Sequence, residues 1–196
     1  ATPPESPAAG PERAAPPGGP VKLSARTGLP KQIIRGNRTN FVLEGLIQRR
    51  PEVLAATPPE DRVFGFRLPP FQRPAVWSPA QQARYIESVY MGFPIGELLI
   101  TQDDPDGNAV VRYLLDGQQR LRALEAWIDG QLTVQGVRFT ELAERDRDVF
   151  LMTPIGVMFL ESGYSMETLR EIYERLNFGG TPHADEHHPG TFRRPG

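Results

Sequence analysis

The residues best suited to chemistry in this sequence form one short run, Asp116-Gly117-Gln118-Gln119-Arg120, which we call the DGQQR segment. Gly117 allows the backbone to approach a bound group closely, and Arg120 can donate two parallel hydrogen bonds to phosphate oxygens. Asp116 is suited to hold a metal ion or to orient a water molecule. The residue types of the DGQQR segment therefore predict a site for phosphate groups.

The DGQQR segment lies where a predicted strand ends and a predicted helix begins. Val110 to Leu115 is an apolar run typical of a strand. After the segment, Leu121, Leu124 and Ile128 recur at helical spacing. The free N–H groups and the dipole of a helix N-terminus favour anions, so this position supports a phosphate cradle.

A purely structural interpretation of the DGQQR segment stays open. Asp116 could act only as the N-cap of the helix, because acidic residues are common at that position. Gln118, Gln119, Arg120 and Arg122 would then form the solvated face of the same helix. In that case the segment carries no chemistry.

A second candidate is the run Phe71-Gln72-Arg73-Pro74, which is followed by Trp77. A residue before proline is held extended, so Arg73 can point rigidly into a cleft. Arg73 is therefore predicted to be a second phosphate ligand, and the alternative is a surface arginine at a turn. Phe71 and Trp77 are interpreted as core or helix-start residues rather than as platforms for a base.

The run Asn177-Phe178-Gly179-Gly180 follows a helix that would otherwise continue. Gly179 explains the end of that helix, since glycine is common just past a helix C-terminus. It does not explain Asn177, whose amide could reach a base, a ribose or a metal-bound water, so Asn177 is a candidate for nucleotide binding. His183 could act as an acid or base near the site, or be an exposed turn histidine.

Hydrophobic periodicity and turn residues predict a mixed α+β order around these candidates. Ser78-Pro79-Ala80-Gln81 has the residue types of a capped helix start. Asp103 to Asn108 is strong turn chemistry between two apolar runs, which predicts a β-hairpin. The predicted helices are Thr39–Arg50, Ser78–Met91, Gln118–Ile128, Thr140–Phe150 and Ser165–Leu176, and the predicted strands are Val63–Leu68, Glu97–Gln102, Val110–Leu115 and Ile155–Leu160.

Composition limits the classes of function. The chain has 196 residues, of which 39% are hydrophobic and 23% charged, as is ordinary for one globular domain. It has no cysteine, which excludes disulfides, thiolate metal sites and cysteine nucleophiles. A formal net charge of −2 argues against a domain that coats nucleic acid with a broadly basic surface. No apolar run approaches the roughly 18 residues of a membrane span, so we expect a cytoplasmic protein without membrane contact.

The two ends of the sequence differ in composition from the part between them. Residues 1–20 are rich in Pro, Ala and Gly, and we predict a disordered tail because such a segment buries too little apolar surface to order itself. Residues 187–196 are predicted to be a second tail, with His187 and His188 as solvated residues. Residues 21–186 are then the predicted domain.

Taken together, the motifs resemble the GmrS-type N-terminal domain of GmrSD-type, modification-dependent DNA restriction systems. The resemblance spans roughly residues 63–186 and implies a fold similar to ParB and sulfiredoxin, in which the corresponding loop meets the phosphates of a nucleotide. It rests on the DGQQR segment after an apolar strand, on Phe71-Gln72-Arg73-Pro74-Ala75-Val76-Trp77, on Met91-Gly92-Phe93-Pro94-Ile95-Gly96, and on Arg175-Leu176-Asn177-Phe178-Gly179-Gly180-Thr181-Pro182.

The resemblance implies an NTP-binding domain, and a Mg²⁺-dependent NTPase, that regulates the cutting of DNA by a separate nuclease. Arg120, Arg73 and the backbone of residues 117–119 would neutralise the phosphates, while Asp116 positions metal or water. DNA would be met through a partner nuclease or a nuclease domain elsewhere. The assigned residues are Asp116, Gln119 and Arg120 for catalysis, Arg73, Gly117, Gln118 and Asn177 for nucleotide binding, and Asp116 for the metal.

Two other classes of function stay open. A sensor would bind a nucleotide or a modified DNA end without hydrolysis, and an adaptor would keep the fold and recruit a nuclease. Sulfiredoxin-type reduction is excluded because it requires a cysteine. We do not expect ParB-type clamp loading, because the residues after Gly180 are too few for the segments it needs, nor an HNH nuclease, because three histidines do not form its framework.

Overall fold

The computed structural model describes residues 23–47, 57–103 and 111–178, so the two predicted tails and His183 lie outside the described residues. The described part confirms the predicted α+β class. Two short 3₁₀ helices, Pro59–Asp61 and Phe139–Glu141, accompany the main elements. Those elements, in chain order, are β1 (Gly36–Val42), α1 (Leu43–Ile47), β2 (Arg62–Val63), β3 (Phe66–Arg67), α2 (Pro79–Tyr90), β4 (Glu97–Thr101), β5 (Leu114–Asp116), α3 (Gln118–Ile128), α4 (Glu144–Leu151), β6 (Pro154–Leu160) and α5 (Met166–Phe178).

A four-stranded sheet with the order β1-β6-β4-β5 forms the centre of the described part. Strand β6 pairs with β1 in antiparallel and with β4 in parallel orientation. The predicted antiparallel pairing is confirmed in β4 and β5, with Leu99 opposite Asp116 and Ile100 opposite Leu114, although β5 begins only at Leu114. Residues 104–108 of the predicted turn lie outside the described residues. Strand β5 ends at Asp116, directly before α3 begins.

Helices cover both faces of this sheet because the side chains of its strands alternate between two apolar clusters. Leu98 and Ile100 of β4 belong to the larger cluster, which also holds the inner faces of α2 and α3. Leu99 belongs to a smaller cluster together with Leu169 and Ile172 of α5. The end of β5 therefore lies between α3 on one face and α5 on the other.

Helix α2 begins as the sequence predicts. Ser78 Oγ accepts a hydrogen bond from the Gln81 N–H at 3.3 Å, and the Ser78 N–H donates to Gln81 Oε1 at 2.8 Å. Pro79 occupies the first helical position, where a missing N–H costs nothing. The capping box fixes where the extended segment before α2 ends.

The predicted helix at Thr39–Arg50 is wrong in its first part. Residues Gly36 to Val42 form β1, which pairs along its whole length with β6, and Leu43–Ile47 is helical. Residues 48–50 of the predicted helix lie outside the described residues. Phe41 packs edge-on against Phe159 of β6, with ring centroids 5.8 Å apart. Over so short a run the apolar spacing fits either element, and pairing with a distant strand decides between them.

The predicted strand at Val63–Leu68 is divided into β2 and β3, which pair with each other in antiparallel orientation. Phe64 in the turn between them has a φ of 48° and is buried, and its N–H donates to Glu125 Oε1 at 3.0 Å. The helix α3 thus provides the partner that this turn requires.

The C-terminal elements follow the prediction with small shifts. Helix α4 begins at Glu144 after a 3₁₀ turn, strand β6 extends from Pro154 to Leu160, and α5 continues to Phe178. None of the helices within residues 23–47, 57–103 and 111–178 combines the length and the apolar character needed to cross a bilayer.

Candidate functional site

A cavity of about 190 Å³ lies at the junction of β5 and α3, and we call it the junction cavity. Three parts of the chain enclose it: the extended segment before α2, the DGQQR segment, and the C-terminal half of α5. The fold brings together all the residues that the sequence analysis assigned to catalysis or nucleotide binding. The cavity is lined by Gln72, Arg73, Trp77, Asp116, Gly117, Gln118, Gln119, Arg120, Tyr173 and Asn177.

The turn into α3 explains why a glycine stands at position 117. Gly117 is the N-cap residue and has a φ of 106°, in the left-handed region that side chains disfavour. A Cβ atom there would also overlap the Leu98 side chain. Since the N-cap is a glycine, the interpretation in which Asp116 caps the helix is wrong. Helix α3 begins without a side-chain cap from its N-cap residue, and its first N–H groups lie beside the junction cavity.

The first turn of α3 is not a solvated face. Gln118 is 5% exposed, and the Arg120 side chain is 18% exposed. Arg122 is also partly buried, and its Nη2 donates to the backbone carbonyls of Pro59 and Glu60. The interpretation of these side chains as a purely solvated helix surface is therefore wrong.

Three oxygen atoms hold the guanidinium group of Arg120. Nη1 donates to the Ile95 carbonyl at 3.2 Å, and Nη2 donates to the Glu97 carbonyl and to Asp116 Oδ2, each at 2.9 Å. Gly96 lies directly against the group, because a Cβ atom at this position would overlap Arg120 Nη1. Arginine has five N–H donors, so two remain for a ligand after these bonds. Arg120 thus connects the start of β4 to the start of α3.

Tyr85 supplies a second donor to the same stretch of backbone. Its hydroxyl donates to the Ile95 carbonyl at 3.1 Å. Burial raises the pKa of Tyr85 to about 12, an effect that the positive charge of Arg120 offsets only in part. The hydroxyl therefore stays protonated at neutral pH and remains a hydrogen-bond donor.

Gln119 fixes the extended segment before α2. Its Oε1 accepts hydrogen bonds from the N–H groups of Val76 and Trp77, each at 3.1 Å. Because both partners are donors, they determine which end of the side-chain amide is the oxygen. The other end, Nε2, is buried and has no hydrogen-bond partner among the described residues.

Gln72 lines the same cavity, although the sequence analysis did not select it as a ligand. Its Oε1 is buried and, within the described ranges, no donor bonds to it. The signal in the sequence is its place in the Phe-Gln-Arg-Pro run, directly before the arginine that is predicted to be a ligand. Buried polar atoms nearly always have a partner, so Gln72 and Gln119 are the two groups at this site that most need one.

Helix α5 closes the junction cavity through Tyr173 and Asn177. The Tyr173 hydroxyl accepts a hydrogen bond from the Arg73 N–H at 3.0 Å. Asn177 Nδ2 donates to the Tyr173 carbonyl at 2.9 Å, which ties its amide nitrogen to its own helix. Arg73 is an exposed residue. Its backbone is therefore held in place while its side chain stays accessible at the cavity.

The charged residues of the cavity wall are Arg73, Arg120 and Asp116. The side chain of Asp116 is 43% exposed and forms its ion pair with Arg120. In the part of the chain that the structure describes, no cluster of three or more His, Cys, Asp or Glu residues could hold a metal ion. A single carboxylate still suits Mg²⁺ bound to a nucleotide, because such ions are held by one or two carboxylates together with phosphate oxygens.

Two larger cavities share walls with the junction cavity. One of about 500 Å³ shares Gln72, Arg73 and Gln118, and one of about 550 Å³ shares Asp116 and Arg120. Ligand sites usually measure roughly 300–1,000 Å³, so the junction cavity alone suits a group the size of a phosphate. A larger ligand would extend from it into a neighbouring cavity.

Residues 59–154 match the family model described as GmrSD restriction endonuclease, N-terminal domain. The matched stretch includes Arg73 and the whole DGQQR segment, whereas Asn177 lies beyond it. No curated protein and no solved structure matches the chain.

Proposed function

Because residues 59–154 match the family model of the GmrSD restriction endonuclease N-terminal domain, we propose that the protein binds and hydrolyses a nucleoside triphosphate within a DNA restriction or phage-defence system. One observation carries the proposal. Residues selected for phosphate chemistry from three distant parts of the sequence line one cavity at the N-terminus of α3. Helix N-termini bind anions through their free N–H groups and their dipole.

The terminal phosphate occupies the junction cavity in this proposal. The first N–H groups of α3, the remaining donors of Arg120 and the guanidinium of Arg73 would neutralise its charge. Arg120 also has a structural role, because its hydrogen bonds to Ile95, Glu97 and Asp116 hold the wall of the site in place. The nucleoside would then extend into one of the two larger cavities.

Asp116 is the residue that would hold Mg²⁺, together with oxygens of the nucleotide. The bound ion would supply charge neutralisation on the phosphates during hydrolysis. Arg120 Nη2 fixes the orientation of the Asp116 carboxylate through one of its oxygens, Oδ2. A carboxylate that is 43% exposed and held by one oxygen fits this use.

Contact with DNA is assigned to a nuclease, either a partner or a further domain. A formal net charge of −2 does not favour a broadly basic surface for the phosphate backbone. The NTPase domain would then regulate cutting rather than perform it.

The test is phosphate release from ATP, GTP, CTP and UTP, each with and without MgCl₂, combined with calorimetric binding. Arg73→Ala should lower the affinity about 10- to 100-fold, because a charge-assisted contact contributes roughly 1.5–3 kcal/mol. Folding should not change, since Arg73 is exposed. Arg84→Ala, at an exposed position of α2, is the matched control. Absence of binding of all four nucleotides at millimolar concentration would overturn the proposal.

A second candidate function is a sensor that binds the nucleotide without hydrolysis. The observation that favours it is the ion pair of Asp116 with Arg120, which occupies part of the carboxylate that hydrolysis would use. Phosphate release by the wild type separates the two functions, and Asp116→Asn tests whether that release depends on the carboxylate. In an NTPase this change abolishes Mg²⁺-dependent phosphate release and largely retains binding, whereas a sensor binds nucleotide but releases no phosphate even as the wild type.

A further inference from the structure

We propose that Gln72, together with Gln119, holds the water molecule that attacks the terminal phosphorus of the nucleotide. This inference rests on the proposed NTPase function and adds a residue to its site. Gln72 is a water-positioning residue in this proposal, acting from the Phe-Gln-Arg-Pro run rather than from the DGQQR segment.

The two glutamines present opposite hydrogen-bonding needs in one cavity. Gln119 Nε2 is a donor and Gln72 Oε1 is an acceptor, both atoms are buried, and neither has a partner among residues 23–47, 57–103 and 111–178. Both residues are part of the wall of the junction cavity. The site therefore calls for a group that accepts one hydrogen bond and donates another.

A phosphate oxygen satisfies only half of this requirement. The oxygens of an ionised triphosphate accept hydrogen bonds, so one of them could pair with Gln119 Nε2 but not with Gln72 Oε1. Water is the smallest molecule that accepts and donates at once, and buried waters typically bond to two to four polar groups. The donor and acceptor pair thus selects a water beside the phosphate.

Bonds that do not involve the ligand hold the side-chain amide of Gln119 and the backbone of Gln72. Gln119 Oε1 takes the N–H groups of Val76 and Trp77, and the Gln72 N–H donates to the Pro69 carbonyl at 2.9 Å. The neighbouring Arg73 N–H is bound by the Tyr173 hydroxyl. A side-chain amide fixed like that of Gln119 can orient a nucleophile without reorganising during the reaction, and a fixed backbone restricts where the Gln72 side chain can lie.

The chemical step is a hydrolysis. The water oxygen forms a bond to the terminal phosphorus, and the bond from that phosphorus to the bridging oxygen breaks. The nucleoside diphosphate leaves with the electron pair of that bond, and one proton of the water is released as inorganic phosphate forms. Gln72 Oε1 accepts a hydrogen bond from the attacking water and Gln119 Nε2 donates one to it, and neither glutamine is consumed.

The test uses the full chain with ATP, GTP, CTP and UTP in the presence of MgCl₂. Gln72→Met keeps a long unbranched side chain and removes the acceptor. We expect kcat for phosphate release to fall on the order of 100-fold, with nucleotide affinity and KM changed less than about threefold. The melting temperature should stay equal or rise, because a buried acceptor without a protein partner is removed. Gln102→Leu, at an exposed position outside the site, is the control.

The outcomes separate this inference from the function on which it rests. If the wild type releases no phosphate, both are wrong. If the wild type is active and Gln72→Met is equally active, only the role of Gln72 is wrong. If Gln72→Met melts well below the wild type, Gln72 is structural and the inference is also overturned. Gln72→Glu retains an acceptor, so its kcat should exceed that of Gln72→Met, and an equal loss in both variants would contradict the proposed role.

Discussion

Truncation of Arg120 should destabilise the free protein, even without any nucleotide. From the sequence alone, Arg120→Ala removes an exposed helical side chain, and alanine is the better helix former. The structure predicts the opposite result. The guanidinium joins α3 to the Ile95 and Glu97 carbonyls at the start of β4, and the Arg120 side chain is 18% exposed.

The size of the loss follows from the three bonds. Hydrogen bonds to a charged group contribute about 1.5–3 kcal/mol each, which sets an upper limit of roughly 5–9 kcal/mol. Two effects reduce this limit. Asp116 is 43% exposed, so water replaces Arg120 as the partner of its carboxylate. The Ile95 carbonyl still accepts the hydrogen bond from the Tyr85 hydroxyl. The remaining loss is about 3 kcal/mol, and for a chain of this size it lowers Tm by about 6–12 °C.

Thermal unfolding followed by circular dichroism measures this effect. Wild type, Arg120→Ala and the control Arg84→Ala should be compared without nucleotide and at the same ionic strength. Arg84→Ala should melt close to the wild type, because its side chain is exposed on α2. If Arg120→Ala also melts within about a degree of the wild type, the bonds to β4 carry no stability and the reasoning is refuted.

Two further predictions concern the neighbours of Arg120. Gly117→Ala should cost more stability than Gly136→Ala, because both positions have positive φ but only a Cβ at 117 overlaps the Leu98 side chain; equal denaturation midpoints for the two variants would contradict this. Alkaline unfolding should depend on Tyr85, whose pKa is raised from 10.0 to about 12. Because the folded-state pKa is the higher one, the contribution of this hydroxyl is complete below pH 10 and is lost as the pH rises through about 12. Tyr85→Phe should remove that part of the pH dependence, and identical alkaline profiles for both proteins would count against it.

Much of the fold could be predicted where local signals are strong. Ser78 and Gln81 have the residue types of a capping box, and the structure forms it. The apolar runs around the turn at 103–108 predict a hairpin, and β4 pairs with β5. The stretch at Gly36–Val42 could not be predicted in this way. Its strand depends on pairing with β6, more than a hundred residues further along the chain, and no local pattern reports such a partner.

In the candidate site, too, some features can be predicted from neighbouring residues, and others depend on contacts between residues far apart in the sequence. The DGQQR segment identified the turn into α3, because a glycine between a strand and a helix is a local feature. An arginine four residues after an aspartate on a helix, however, suggests an exposed pair. Arg120 also donates to the carbonyls of Ile95, just before β4, and of Glu97, at its start. Those two contacts depend on the position of the sheet, which the local sequence does not reveal. The amide ends of Gln72 and Gln119 that lack a partner within the described part of the chain can be recognised only once burial is known.

The contact between Gly96 and Arg120 restricts how this domain can diverge over time. A side chain at position 96 would occupy the space of the Arg120 guanidinium, and Gly96 has a φ of 85°. A substitution at position 96 is therefore strained by the backbone itself, and it would also displace the Arg120 guanidinium unless residue 120 were shorter. We expect the two positions to change as a pair among related sequences. A set of relatives in which position 96 varies while the arginine at 120 remains would show that the backbone here can shift enough to accept both.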